Sequence, residues 1–152
     1  MRIKAIAGAA GIAIAASLAL ATGAQAAPFD SGAGYPRFAH EGVYPERSGC
    51  TYRLQKSTTG RWGGRTIALK YFYSGGCGSF ARIDNAPRDC SVWLDRTPDG
   101  NTVGGWDYVG ETVDPGINYA YTKVGNNLSG RLSRGALVCG PRNLVIARTG
   151  WY

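Results

Sequence analysis

The sequence predicts an all-β protein: a single, disulfide-stapled antiparallel β-sandwich or barrel of about seven or eight strands. Short apolar runs with period-two alternation recur along residues 50–152, and turn-forming Gly, Pro, Asn and Asp residues separate them. No segment of this part sustains the 3.6-residue apolar period of an amphipathic helix. A sandwich and a barrel would give the same pattern, so the sequence leaves both open.

The first 26 residues have the three parts of a secretory signal peptide. Arg2 and Lys4 give a positive start, residues 5–21 are almost uninterruptedly apolar, and residues 24–26 (Ala-Gln-Ala) offer a cleavage site. The alternative is a retained membrane anchor, but this Ala- and Gly-rich stretch is short beside the ~20 residues of a spanning helix. We therefore expect cleavage near Ala26, secretion, and no membrane span after processing.

The charge of the chain favours no single class of partner. Cleavage would lower the formal net charge from +7 to +5, because Arg2 and Lys4 leave with the leader. Such a modest positive excess suits anionic cell-wall polymers, acidic proteins or nucleic acid, but an ordinary soluble surface has the same balance. No RNA-binding sequence motif accompanies it, so nucleic acid is the least favoured of these partners.

Residues 27–49 are rich in Gly, Pro and aromatic side chains and have no period, which predicts an extended arm. Pro36 and Pro45 disfavour a helix there. Aromatic residues such as Tyr44 could fold this arm onto the β-domain of residues 50–152.

A hairpin is predicted at the centre of that domain. Ile67, Leu69 and Tyr71 alternate with polar or small residues, so they share one face of a strand over residues 65–73. A glycine-rich turn at residues 74–76 reverses the chain, and residues 80–83 form the returning strand.

Further strands are predicted on both sides of this hairpin. Residues 50–55 precede it, followed by a polar loop at residues 57–64 that carries Trp62. The remaining predicted strands are residues 89–96, 105–113, 117–124, 135–139 and 144–148. The predicted turns are residues 98–101, 114–116, 125–127 and 140–141.

All four cysteines, Cys50, Cys77, Cys90 and Cys139, lie in the exported part, and an even count in an oxidising compartment implies two disulfides. Three pairings are possible. We favour Cys50–Cys77, which would staple neighbouring strands, and Cys90–Cys139, which would tie the late strands together. A zinc site is disfavoured, because the chain has no C-x-x-C spacing and its only histidine, His40, is expected far from any cysteine cluster.

Several motifs together resemble the YjfA-like family of small secreted bacterial proteins, which are common in actinobacteria and have no known function. The similarity covers about residues 50–139. Its motifs are Leu69-Lys70-Tyr71, Ser74-Gly75-Gly76-Cys77, Phe80-Ala81-Arg82 and the tyrosine-threonine strand of residues 119–124. The resemblance implies a secreted β-domain with a disulfide at the central hairpin. It implies no reaction, cofactor or catalytic residue.

The residues themselves give little support for catalysis or for a cofactor. A secreted ribonuclease could use His40, Glu41 and Arg47, but neighbouring residues of an extended arm point to opposite sides. A glycoside hydrolase needs two facing carboxylates, whereas most of the aspartates occur at turns or strand ends, where they cap backbone donors. No calcium loop and no phosphate-binding P-loop is present in the sequence.

Arginine and tryptophan give the strongest remaining signal. Exposed aromatic faces are surfaces on which sugars and protein partners stack. The candidate binding surface consists of Arg53, Arg61, Trp62, Arg65 and Trp93, and Trp62 is expected to be exposed.

The sequence therefore predicts a secreted, non-enzymatic β-domain that binds cell-wall polysaccharide or an extracellular protein. The first alternative is a small extracellular hydrolase inhibitor that presents a loop such as residues 57–65. A ribonuclease or cell-wall hydrolase is the least favoured alternative.

Overall fold

A computed structural model describes residues 40–97, 99–104, 106–128 and 130–152. Within these ranges, eight strands form two four-stranded antiparallel sheets, which confirms the all-β fold and resolves it as sandwich-like. The strands are β1 (Arg53–Trp62), β2 (Arg65–Ser74), β3 (Gly78–Asp84), β4 (Cys90–Arg96), β5 (Asp107–Thr112), β6 (Tyr119–Tyr121), β7 (Ser133–Cys139) and β8 (Leu144–Arg148). The predicted signal peptide lies outside the described residues.

The first sheet has the strand order β1-β2-β3-β6, and the second has the order β5-β4-β7-β8. Their facing sides bury one apolar cluster, which includes Leu69 and Ile83 from the first sheet and Leu94 and Leu137 from the second. Side chains at alternate strand positions therefore point either into this cluster or onto an outer face.

The central hairpin is confirmed. β2 and β3 pair in antiparallel register, with Phe72 opposite Phe80 and Leu69 opposite Ile83. Because Leu69 and Ile83 face the core, Phe72 and Phe80 lie on the outer face of the first sheet.

The predicted polar loop at residues 57–64 is wrong. β1 continues to Trp62 and pairs with β2 along its whole length, so only Gly63 and Gly64 lie between the two strands. Both glycines have positive φ, 54° and 75°, as the tight turn of a two-residue hairpin requires. A hydrolase inhibitor was expected to present residues 57–65 as a loop. Most of this segment is paired strand, and only the two-residue turn is free of pairing.

Both favoured disulfides are confirmed. Cys50 is bonded to Cys77 and Cys90 to Cys139, at sequence separations of 27 and 49. Cys90 and Cys139 face each other across β4 and β7 and are buried in the core. Cys50–Cys77 is half-buried and joins the segment before β1 to the turn after β2. Each bridge therefore staples one sheet, and neither links the two sheets.

The last residues of the predicted arm, from His40 onward, pack onto the sandwich. The Gly42 amide donates to the Val124 carbonyl and the Val124 amide to the Val43 carbonyl, both at 2.9 Å. Glu41 forms a buried ion pair with Arg96. Pro45–Arg47 is a 3₁₀ helix that starts at its proline. Among the described residues, no helix is long and apolar enough to span a membrane.

A buried polar network closes one part of the core. The hydroxyl groups of Tyr71 and Ser133 lie 2.7 Å apart, and Ser133 also contacts the Ser79 hydroxyl at 2.8 Å. Asn127 donates its side-chain amide to the Tyr71 oxygen at 2.8 Å. The tight turn predicted at residues 125–127 is therefore wrong: Gly125 bridges to Ser79, and Asn127 is buried.

Replacing Tyr71 by Phe should lower the free energy of unfolding by about 1–3 kcal/mol, because Asn127 and Ser133 lose a partner in the core. Burial raises the pKa of Tyr71 to about 12. The protonated phenol thus stabilises the fold below pH ~10, and this contribution is lost as the pH rises towards 12. Urea denaturation at neutral and alkaline pH measures both effects.

Tyr73→Phe is the matched control, because Tyr73 lies on the same strand and is only half-buried. An unchanged neutral-pH stability in Tyr71→Phe would contradict the role of the network. If Tyr71→Phe lost as much stability at alkaline pH as the wild type does, that result would also contradict the role of the network, because the variant has no phenol to ionise at this position.

Candidate functional site

Two tyrosines stand on the outer face of the first sheet, along β6. Ala120 between them is buried in the core, so Tyr119 and Tyr121 point outward on the same side. Their rings are parallel to within 6° with centroids 6.3 Å apart, and Tyr119 is 36% exposed. We call this pair the tyrosine ridge.

Hydrogen bonds hold the aromatic rings in place. The Tyr121 hydroxyl donates to Glu46 Oε1 at 3.3 Å, and the Tyr44 hydroxyl donates to Glu111 Oε1 at 3.2 Å. Tyr44 and Tyr121 meet edge to face, with centroids 6.0 Å apart. Burial and the neighbouring carboxylates raise the pKa of both tyrosines above the ordinary value, so both phenols remain protonated donors at neutral pH.

The ridge separates two clefts. The first, the aromatic cleft, is an open depression of about 440 Å³ lined by Pro45, Glu46, Phe80, Arg82, Tyr119 and Tyr121. The second, the carboxylate cleft, encloses about 240 Å³ and is lined by Tyr44, Glu46, Arg47, Glu111, Thr112, Asp114, Ile117, Tyr119, Ala120 and Tyr121. Glu46 and the ridge belong to both clefts, so the two are contiguous.

The sheet behind the aromatic cleft continues the aromatic surface. The Phe80 ring stacks on Phe72 with centroids 4.7 Å apart, and Tyr52 meets Phe80 edge to face at 5.1 Å. Next to them, Leu54 is 51% exposed. Phe80 itself is buried beneath these neighbours, so the half-buried rings of Tyr52 and Phe72 and the exposed Leu54 form the surface beside the cleft.

Arg82 is fixed over one side of the ridge. Its guanidinium lies 5.0 Å from the centroid of the Tyr119 ring and 2.8 Å from an oxygen of Asp84, which also pairs with Lys70 at 3.1 Å. Burial alone would raise the pKa of Asp84, but hydrogen bonds and charge from Arg82 and Lys70 outweigh it and hold this pKa below the usual range. The ionised Asp84 thus positions Arg82 as a donor at the cleft.

The structure does not bring the predicted binding surface together. Arg53 and Trp62 stand at opposite ends of β1, about 30 Å apart for a ten-residue strand. Arg61 and Arg65 flank the β1–β2 turn beside Trp62, but they lie on opposite faces of the hairpin. Trp93 belongs to β4, on the outer face of the second sheet.

Trp62 is not the exposed loop residue that the sequence suggested. It is half-buried against the core, and its indole N–H donates to Asp89 Oδ2 at 2.8 Å. The ring also covers Gly140, where a Cβ atom would come within 2.9 Å of it. Its contacts therefore stabilise one end of the sandwich.

The aromatic rings of the second sheet contact other side chains of the chain. Trp93 stacks on Tyr108 with centroids 4.1 Å apart. The Arg134 guanidinium lies 4.2 Å from the ring centroid of Trp151 and 5.1 Å from that of Trp106. Each of these rings therefore already packs against another side chain of the protein.

The three residues considered for a ribonuclease have different surroundings in the fold. Glu41 is paired with Arg96 in a buried position, whereas Arg47 lines the carboxylate cleft. His40 was expected far from any cysteine cluster, and this is wrong: its imidazole lies within 4.8 Å of the sulfurs of Cys50 and Cys77. Those sulfurs are bonded to each other, so they offer no thiolate ligand to a metal.

The ridge was not among the residues predicted to bind, although the sequence contains one signal for it. Tyr119 and Tyr121 flank a small residue, so strand alternation puts both rings on one face. Tyr44 and Glu111 are 67 residues apart along the chain, and no sequence pattern connects them. Only the folded arm brings Tyr44 and Glu46 to β6.

Comparisons with family models, curated proteins and solved structures find no match to the chain. The resemblance to the YjfA-like family therefore stays a prediction, and the site itself carries the functional argument.

Proposed function

We propose that this protein is a secreted, non-catalytic domain that binds cell-wall polysaccharide through the tyrosine ridge and the aromatic cleft. The observation that carries the proposal is the pair of outward, parallel tyrosine rings held in place beside a cleft of about 440 Å³. Pyranose rings present apolar C–H faces, which pack on aromatic faces, while their hydroxyl groups need polar partners at the edge.

The polar partners are available on both sides of the ridge. Arg82 offers N–H donors, and the Glu46 carboxylate offers acceptors. Ring faces with donors and acceptors at their rim are the arrangement that fixes the orientation of a polar ligand on an apolar surface. The hydroxyls of Tyr121 and Tyr44 are held by Glu46 and Glu111, so binding costs little ordering of these two side chains.

Co-sedimentation of the full chain with purified peptidoglycan, chitin and cellulose tests the proposal. We expect binding to at least one of these polymers and a loss of about tenfold in affinity for Tyr119→Ala combined with Tyr121→Ala. Tyr119→Phe keeps the ring and should bind like the wild type. Trp62→Ala should lower stability but leave the affinity unchanged, because Trp62 lies outside both clefts.

Two outcomes would reject the proposal. One is the absence of binding to all three polymers. The other is full binding by a correctly folded double tyrosine variant. Release of soluble reducing sugars during the assay would instead identify a hydrolase that uses the carboxylates beside the ridge.

A further inference from the structure

The carboxylate cleft has a chemical character of its own. Three tyrosines line it, and Tyr44 and Tyr121 meet nearly at right angles, 78°, so they form an aromatic corner. An aromatic corner attracts cations, because the ring faces carry the negative part of the aromatic quadrupole. A cation of this protein already makes that contact nearby, since Lys123 Nζ lies 5.5 Å from the centroid of the Tyr44 ring.

The charged groups around this corner also favour a cation. Among the described residues, the carboxyl groups of Glu46, Glu111 and Asp114 line the cleft with one basic residue, Arg47, and Lys123 adds a second positive charge at the Tyr44 ring. Three acids against these two bases still leave the cleft a small local negative charge, in a chain whose formal net charge is +7. Overall electrostatics would repel a cation, so any preference for one must come from this cleft.

We propose that the carboxylate cleft binds a protonated amino group carried on the glycan, that is, a de-N-acetylated amino sugar next to the unit on the tyrosine ridge. The inference rests on the proposed polysaccharide binding, because the two clefts share the ridge and Glu46. A chain lying across the ridge would place a neighbouring sugar in the carboxylate cleft. There its ammonium group contacts the aromatic corner and the carboxylates. An acetamide group carries no positive charge and cannot make these contacts.

Calorimetric titration of the full chain with two soluble probes tests this inference. The probes are a fully acetylated and a fully deacetylated β-1,4-linked glucosamine hexamer, at a pH at which the sugar amine is protonated. We expect the deacetylated hexamer to bind about five- to tenfold more tightly. In Glu111→Gln this preference should disappear while the affinity for the acetylated hexamer remains, since the amide still accepts the hydrogen bond from Tyr44.

Asp99→Asn is the matched control. It removes the same charge at an exposed residue outside both clefts, so it should keep the preference of the wild type. Equal affinity for the two hexamers, or a preference that survives in Glu111→Gln, overturns the inference and leaves polysaccharide binding intact. If neither hexamer binds and the protein co-sediments with none of the insoluble polymers, the proposed function fails as well.

Discussion

Removal of the Cys90–Cys139 bridge by Cys90→Ala combined with Cys139→Ala should lower the free energy of unfolding by about 4 kcal/mol. The bridge closes a loop of 49 residues, so its loss returns substantial entropy to the unfolded chain. Both sulfurs are also buried in the core, and the substitutions leave a small cavity between the sheets. Urea denaturation followed by tryptophan fluorescence measures the loss.

The other disulfide provides the matched comparison. Cys50–Cys77 closes a shorter loop of 27 residues and is half-buried, so its removal should cost about 3 kcal/mol. A thiol reductant under native conditions should open this bridge first, because access to the sulfur controls exchange. A larger stability loss for Cys50–Cys77, or prior reduction of Cys90–Cys139, would contradict the assignment of the core bridge.

Glu41→Gln should destabilise the protein by about 2–4 kcal/mol, since it removes one partner of a buried ion pair. The side chains of Glu41 and Arg96 are each only 8% exposed. Asp107 still pairs with Arg96 at 2.7 Å, but it is 46% exposed and cannot replace the buried contact. Thermal and urea denaturation measure the loss, and hydrogen exchange of the Gly42 and Val124 amides should become faster as the arm detaches.

A double-mutant cycle tests whether the ion pair is the cause. Arg96→Met combined with Glu41→Gln should cost clearly less than the sum of the two single variants, because each single variant removes one partner of the buried pair and the double variant removes both charges. Additive effects would show that Glu41 and Arg96 act independently, and unchanged amide exchange would show that Glu41 does not hold the arm.

The fold was predictable where local alternation and burial agree. The β2–β3 hairpin, with Leu69 inward and Phe72 outward, follows from period two alone, and β4 and β8 lie where their apolar runs predicted. β1 was placed too early and too short because its second half is polar. Thr58 and Thr59 suit an edge strand that is partly open to solvent, yet they look like loop residues in the sequence.

The candidate site was much less predictable, because it depends on contacts between distant segments. Trp62 was selected for its arginine neighbours, but burial against Gly140 depends on a residue 78 positions later. Tyr44 and Glu46 belong to an arm without periodicity, and only its docking brings them to β6. Sequence alternation could have placed Tyr119 and Tyr121 on one face, but not the clefts beside them.

The position of Cys90–Cys139 also determines the product of a single proteolytic cut. The segment between β4 and β5 includes Val103, which is 90% exposed, and it lies between the two bonded cysteines along the chain. A single cut there therefore produces two fragments that remain covalently attached. Electrophoresis without reductant would show one band of unchanged mass, and reductant would separate it into two. The nicked molecule would still keep β4 and β7 side by side.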